Sequence, residues 1–467
     1  MIQQIRPLLL VVVFLSSVHI GFAQNEGTLY FMNALPQVNY LNPAIMPQYR
    51  FSLGLPGSSV YVQYANSGFA YNSFAKQTGD STTADLSKLY SKLKKKNYIT
   101  NAVQADIFRF SMKLNPRLYM TFNITAKEYN RLMLPKDLTG IFINGTSAYV
   151  GGKATISPKV EAVSYVETAL GFAYKVDRKL TAGARIKFLK GFANATTQRA
   201  TANLALDDDY AITASASADV RTSGIHNFTQ DGYSFSDHWR DYTHNNGFAF
   251  DLGATYQVND RLTIGGSLID IGSIKWKNDT YAYTLDAANA NYTFKGVDLQ
   301  KVLDNNSDYL KNEGDTLQAR FKFKEGSRGS YRTHIPGKLY LSGSYKLKAN
   351  IYGGVLLFAE MFRGRFAPGI STSVHREFGK RFSTSLSYTI SNNAYNNIGL
   401  GLSLNLAPLQ IYLVGDNLLR APLSVLAHGE VNPYLNNMRY FNLRAGLNFV
   451  FGWDKTPDKQ PHPQKQP

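Results

Sequence analysis

Strict two-residue alternation, renewed many times along one chain, leaves few folds open. Leu400, Leu402, Leu404 and Leu406 alternate with Gly401, Ser403 and Asn405. Phe382, Thr384, Leu386, Tyr388 and Ile390 alternate with serines and Thr389, and Leu118, Met120, Phe122 and Ile124 alternate with Tyr119, Thr121 and Asn123. Residues 441–451 repeat the pattern from Phe441 to Phe451. Successive side chains of a strand face opposite ways, so each segment has one apolar face and one polar or tiny face. The chain is all-β on this reading.

Alternation alone also suits a soluble sandwich, and the connections decide between the two. Short turns recur at Leu114–Leu118, Val176–Leu180, Val258–Leu262, Leu347–Ile351, Phe378–Phe382 and Leu406–Leu409. Long polar, aromatic-rich segments separate them at 66–104, 128–157, 206–247 and 276–330. Tight turns on one side and long loops on the other are the asymmetry of an outer-membrane barrel. Six turns join twelve strands. One more strand near Val60–Ala65, after the Pro56-Gly57 break, and a closing strand from Tyr440 to Trp453 make about fourteen. The expected architecture is a single transmembrane antiparallel β-barrel spanning 57–453, with long extracellular loops. Composition agrees: 18% charged residues with 30 Tyr and 28 Phe suit strands that meet lipid on one face. Segments 193–222 and 279–297 read as hairpins rising above the membrane, with an extra spanning pair as the alternative.

Arg6, the apolar run Leu8–Val18 and the small residues of Gly21-Phe22-Ala23 form a secretory signal peptide over 1–23, with cleavage after Ala23. The expected location is the Gram-negative outer membrane. With no Cys in the chain, a lipid-modified cysteine, a thiolate metal site and a cysteine nucleophile are excluded. Residues 24–56, carrying Asn42-Pro43-Ala44, are expected to fold against or inside the barrel as a plug. Residues 83–96 read as a helix capped by Thr82 or Asp85, and 454–467 as a disordered Pro/Lys/Gln-rich tail.

Several short runs resemble a known group. Leu134-Pro135-Lys136-Asp137-Leu138, Asn144-Gly145-Thr146, Leu170-Gly171-Phe172-Ala173-Tyr174 and Leu180–Lys187 are similar to an uncharacterised Bacteroidota outer-membrane barrel family. So are Asn42-Pro43-Ala44, Gly54-Leu55-Pro56, Asn66–Phe69 and Gly415–Leu419. The order and spacing of these runs over nearly the whole mature chain carry the resemblance. That family is similar in layout to long-chain fatty-acid transporters, with fourteen strands and an N-terminal plug, and to accessory barrels of type IX secretion. The resemblance implies fold and location and assigns no substrate.

No nucleophile elbow, phosphate loop or His-Glu-x-x-His motif is present, so no enzyme and no cofactor are expected. The loop with His226, Asp231, Asp237, His238, Asp241 and His244 lacks metal-ligand spacing and reads as a solvated loop. Asp207-Asp208-Asp209 could attract a divalent cation, and a hairpin tip explains three carboxylates equally well. If Leu, Phe and Tyr face lipid, parity turns Arg109, Lys113, Glu167, Lys175, Arg185, Lys187, Asp251, Lys346 and Arg444 inward. The Val176–Leu180 turn sets Ala169 opposite Lys187, so Glu167 lies diagonally from Lys187 and an ion pair is expected. The surplus luminal bases either attract an anionic head group or pair with carboxylates and carbonyls that fill the lumen. The net charge of +17 is scattered through strands and turns, which excludes a nucleic-acid partner. Lipid and lipopolysaccharide are the expected surroundings, with Lys94, Lys95 and Lys96 facing its phosphates. The leading functional expectation is a plugged barrel that binds or moves a small apolar or amphipathic molecule. The rival is a non-transporting barrel that serves as a scaffold or accessory partner in envelope assembly or secretion.

Overall fold

The computed structural model describes residues 26–69, 75–78, 81–227, 244–296, 307–391, 394–417 and 439–453. The expected signal peptide and C-terminal tail, and most of the histidine-bearing loop, lie outside the described residues.

Fourteen antiparallel strands close into one barrel. They are β1 (Tyr49–Gly54, resumed as Ser59–Asn66), β2 (Lys96–Asn115), β3 (Leu118–Pro135), β4 (Lys159–Lys175), β5 (Leu180–Leu206), β6 (Asn246–Gln257) and β7 (Leu262–Trp276). They continue with β8 (Gly337–Lys348), β9 (Ile351–Phe362), β10 (Arg365–Phe378), β11 (Phe382–Ser391), β12 (Ala394–Leu406), β13 (Leu409–Asp416) and β14 (Tyr440–Trp453). Each strand pairs with its neighbours in the chain, and β1 pairs with β14 to close the ring. Closure leaves no backbone edge facing lipid, which is the condition for a β structure to cross a bilayer. Among the described residues no helix is long and apolar enough to cross a membrane.

The alternation has the physical meaning expected of it. Leu170, Phe172, Ile186, Phe188, Leu386, Leu404 and Leu447 are exposed on the outer wall, while Ser383, Ser385, Ser387 and Thr389 are buried in the lumen. The six short turns join the strand pairs as expected. Three share one local device: the side-chain oxygen of Asn115, Asp177 or Asn259 accepts the N–H groups two and three residues on, at 2.6–2.9 Å. An Asx side chain mimics a backbone turn in this way.

Four boundaries differ from the sequence reading. The plug ends near residue 48 rather than 56, because Tyr49–Gly54 already pairs with both β14 and β2. The Pro56-Gly57 break interrupts β1 rather than preceding it. The helix near 83–96 covers only Leu86–Lys92, capped by Asp85 whose Oδ1 accepts Lys88 N–H at 2.8 Å, while Thr82 lies in a short strand, Ser81–Ala84. The loop side is not uniformly long: β9 and β10 are joined there by Arg363 and Gly364 alone. A strand needs only about 9–11 residues to cross the membrane, and β5 has 27. Its upper part pairs with Ile212–Ser223, which in turn pairs with Thr280–Leu285 and Asn291–Phe294. These are the hairpins expected above the membrane.

Candidate functional site

The N-terminal segment fills the lower and middle lumen. A helical turn at Gly27–Tyr30 and a 3-10 turn at Pro36–Tyr40 bury Leu29, Met32, Leu35 and Val38 completely. Leu29 to Leu35 pack with Tyr340, Leu356, Phe358, Tyr412 and Val414 from the wall. Wall glycines make room. A Cβ on Gly183 would lie 2.4 Å from the Pro43 backbone, and one on Gly253 would lie 2.2 Å from Asn42 Oδ1. The Asn42-Pro43-Ala44 motif therefore rests on bare backbone. Asn42 Oδ1 accepts Ala44 N–H at 2.9 Å, while its Nδ2 donates to Tyr30 Oη at 3.2 Å and to the wall carbonyls of Ala254 and Gly266 at 3.3 and 3.4 Å.

Polar ties fix the rest of the plug. Thr28 Oγ1 donates to Asp416 Oδ1 at 2.7 Å, and Gln37 and Asn448 exchange two amide hydrogen bonds at 2.8 and 3.2 Å. Arg444 Nε and Nη2 donate to Glu26 Oε1 at 2.8 and 2.5 Å. Tyr40 Oη donates to Asp106 Oδ2 at 2.8 Å, and Arg109 stands 3.8 Å from the same carboxylate. Arg185 Nη2 donates to the Asn39 carbonyl at 3.0 Å and to the Asn39 side chain.

Beside the plug lies an ionic layer. Lys187 Nζ sits 2.5 Å from Asp270, 2.8 Å from Asp251 and 3.4 Å from Glu167. Lys127 Nζ sits 2.7 Å from Glu167 and 3.4 Å from Asp270. Arg185 pairs with Asp251 at 3.2 Å, and Lys338 approaches Asp270 at 3.9 Å. The register sets Ala169 opposite Lys187, and the Glu167–Lys187 contact follows from it. A cavity of about 20 Å³ opens among Glu26, Tyr40, Lys127, Glu167, Lys338 and Arg444, which is room for about one water molecule.

The structure brings Arg109, Glu167, Arg185, Lys187, Asp251 and Arg444 into the buried lumen. Lys175 is exposed near its periplasmic turn, and Lys113 and Lys346 are half-buried at the same end, so these three stand apart from the ionic layer. Parity missed Glu26, Asp106, Lys127, Asp270 and Lys338. Two β-bulges explain two of them. The β2–β3 register shifts between Asp106 and Phe108, placing Asp106 on the same side as Arg109. The β6–β7 register shifts opposite Asp251, and Asp270 takes a φ of 59° that turns it inward beside Ile269. Asp is among the few residues that adopt this backbone region readily, so an Asp between Ile269 and Ile271 was the one available signal. With these acids included, Arg109, Lys127, Arg131, Arg185, Lys187, Lys338 and Arg444 each stand within 4 Å of one of Glu26, Asp106, Glu167, Asp251, Asp270 and Glu360. These seven bases are met by carboxylates, which removes most of the surplus read from the sequence.

Outside the lumen, His226 stacks on Tyr281 at 3.9 Å and stands 3.4 Å from Glu325. Asp207 accepts the N–H groups of Asp209 and Ala211, as a hairpin tip does. Among the described residues no group of three His, Cys, Asp or Glu side chains is placed to hold a metal ion.

A closed fourteen-stranded antiparallel ring with a lipid-facing apolar belt and a plugged lumen defines an outer-membrane β-barrel protein. Residues 43–416 match the family of unknown function DUF5723, and the chain belongs to it. No curated protein matches the chain. Among solved structures it is similar to a Pseudomonas aeruginosa FadL homologue at 10% identity and a TM-score of 0.42, over 92% of this chain and 100% of that one. It is also similar to the Ralstonia pickettii toluene transporter TbuX at 10% identity and 0.35, over 90% and 94%. A third is the P. putida toluene transporter TodX, at 8% identity and 0.36, over 89% and 94%.

Proposed function

We propose that the protein is a gated outer-membrane barrel that binds or passes a small apolar or amphipathic molecule when its N-terminal plug shifts. The observation that carries this reading is the nature of the plug contact. Charged and amide groups, not apolar packing alone, tie residues 26–48 to the wall, through Glu26–Arg444, Tyr40–Asp106 and Asn39–Arg185. A buried ion pair is seldom more stabilising than well-packed apolar residues, and its best-attested use is to fix one arrangement among several. With the plug withdrawn, the same wall charges would be solvated by water. With the plug in place, a cavity the size of one water leaves no room for a ligand beside the ionic layer.

The cavity's size also favours the rival reading, a permanently closed barrel that presents its upper hairpins to an envelope partner. Native mass spectrometry of detergent-extracted protein, wild type and Glu26→Gln, separates the two. A gated barrel carries bound amphiphile, with altered occupancy in the variant. A scaffold carries none and co-purifies with another envelope protein in both forms. Lipopolysaccharide phosphates are the proposed anionic neighbours of Lys94, Lys95 and Lys96, which are exposed at the loop end of the barrel.

A further inference from the structure

The lumen is layered, and the layers follow from strand geometry. Inward side chains recur every second residue. One inward step toward the loop side from Lys127, Glu167, Lys187 and Asp251 lie Tyr129, Tyr165, Leu189 and Ala249. With Trp276 and Phe362 they belong to a buried, tightly packed apolar layer above the ionic layer. Over this layer lies the tip of the β9–β10 hairpin. In a ring of fourteen, β9 and β10 stand nearly opposite β2–β5, yet the tip contacts all four of those strands. Glu360 accepts from Tyr129 Oη at 2.8 Å and from Arg131. The Phe362 ring meets that of Tyr129 edge-on at 5.0 Å, and its carbonyl accepts from Arg131 at 3.3 Å. Arg363 donates to Glu161 Oε1 and to the Thr197 carbonyl, both at 3.0 Å. The Arg365 guanidinium lies over the Tyr98 ring at 4.2 Å.

Arg363 and Gly364 both take positive φ, 51° and 71°, which makes a tight two-residue hairpin turn of the kind that fits strand twist. Positive φ is uncommon for Arg, and here it aims the guanidinium at Glu161. Pairing between β10 and β11 starts only at Gly369. In the sheet, residues 365–368 therefore pair only with β9, and Pro368, which has no N–H for a further neighbour, sits on that edge.

We propose that residues 360–365 are an extracellular lid, latched across the lumen by Arg131–Glu360 and Arg363–Glu161, whose release exposes the packed apolar layer beneath it. The lid does not depend on whether a substrate passes the plug below it. The chain has no native cysteine, so access is measurable at one introduced site. Ala249→Cys places a small thiol in this packed layer, at a position that is completely buried. The full-length protein is reconstituted in liposomes, and a membrane-impermeant maleimide is added from the loop side. Modification is slow with the lid latched and rises at least tenfold when Glu360→Gln or Arg363→Ala is added. Arg363→Ala alters only the partly exposed rim contact, so it keeps the test decisive if Glu360→Gln fails to assemble. An unchanged labelling rate in a variant with normal heat-modifiable migration would overturn the lid. Glu26→Gln in the same Ala249→Cys background reports on the plug separately: labelling raised only from the periplasmic side supports plug movement and leaves the lid result standing.

Discussion

Asp270 is the hub of the ionic layer, and its replacement by Asn tests whether that layer is a matched set. Asn keeps the side-chain shape and tolerates the positive φ of this position, so the change removes charge with little backbone penalty. Lys187, Lys127 and Lys338 lie 2.5, 3.4 and 3.9 Å from Asp270. At an effective dielectric near 20, each attraction is about 4–7 kcal/mol. Desolvation and repulsion from Glu167 and Asp251 offset much of that sum, and removing one member of a buried pair costs a net of about 3–5 kcal/mol. Asp270→Asn is therefore expected to lose about that much stability in urea unfolding of vesicle-inserted protein, followed by tryptophan fluorescence. The double variant Asp270→Asn/Lys338→Met removes one charge of each sign and is expected to regain more than half of the loss, because the two sites are coupled. Equal stability of wild type and Asp270→Asn refutes the matched set. A double variant no better than the single one refutes the coupling.

Gly183→Val puts a side chain where the Pro43 backbone lies 2.4 Å away; it is expected to cost about 1–3 kcal/mol and to make the plug cleavable by added protease while the barrel stays folded. Leu447→Arg places a charge on the exposed outer face and should lower folding stability by roughly 2–4 kcal/mol near the midplane, seen as loss of heat-modifiable migration; normal assembly would contradict the lipid-facing parity. At the periplasmic turn, the backbone N–H groups of Leu180 and Lys179 hold the Asp177 carboxyl below its usual range. A depressed folded-state value stabilises above the unfolded value of about 3.9 and is lost as pH falls through the folded one. Asp177→Asn keeps the acceptor but not the charge, so wild type should be the more stable at pH 7 and the difference should shrink as pH falls below about 3.9, measured by unfolding both proteins from pH 7 into the acid range.

The sequence was most informative where one rule repeats. Alternation and six Asx-type or similar turns set the strand count, the lipid face and the register that brings Glu167 to Lys187, because each depends only on neighbours in the chain. It was least informative where that rule is broken by one residue. A bulge at Ile107 and another at Ile269–Asp270 invert parity locally, so two luminal acids were invisible and the lumen looked strongly basic. Lys127 and Lys338 were missed for a different reason: their strands extend beyond the runs of clear alternation, toward the loop side. The plug boundary was misplaced because Tyr49–Gly54 pairs with β14 and β2, partners far away in sequence, and a Pro-Gly break reads locally as an end.

A surplus of luminal bases would repel internally and would need an outside anion to stay closed. A matched set needs none, and among the described residues Arg109, Lys127, Arg131, Arg185, Lys187, Lys338 and Arg444 each stand within 4 Å of a carboxylate. The same matching keeps both closures separable. The lid is latched by Glu360 and Glu161, which lie on β9 and β4, and the plug by Glu26 and Asp106; no carboxylate is shared between the two. Under the proposed lid, releasing one closure leaves the other's pairs intact, and the packed apolar layer between them would be reached from one side at a time. A barrel whose two closures shared a charge would open to both sides together and leak.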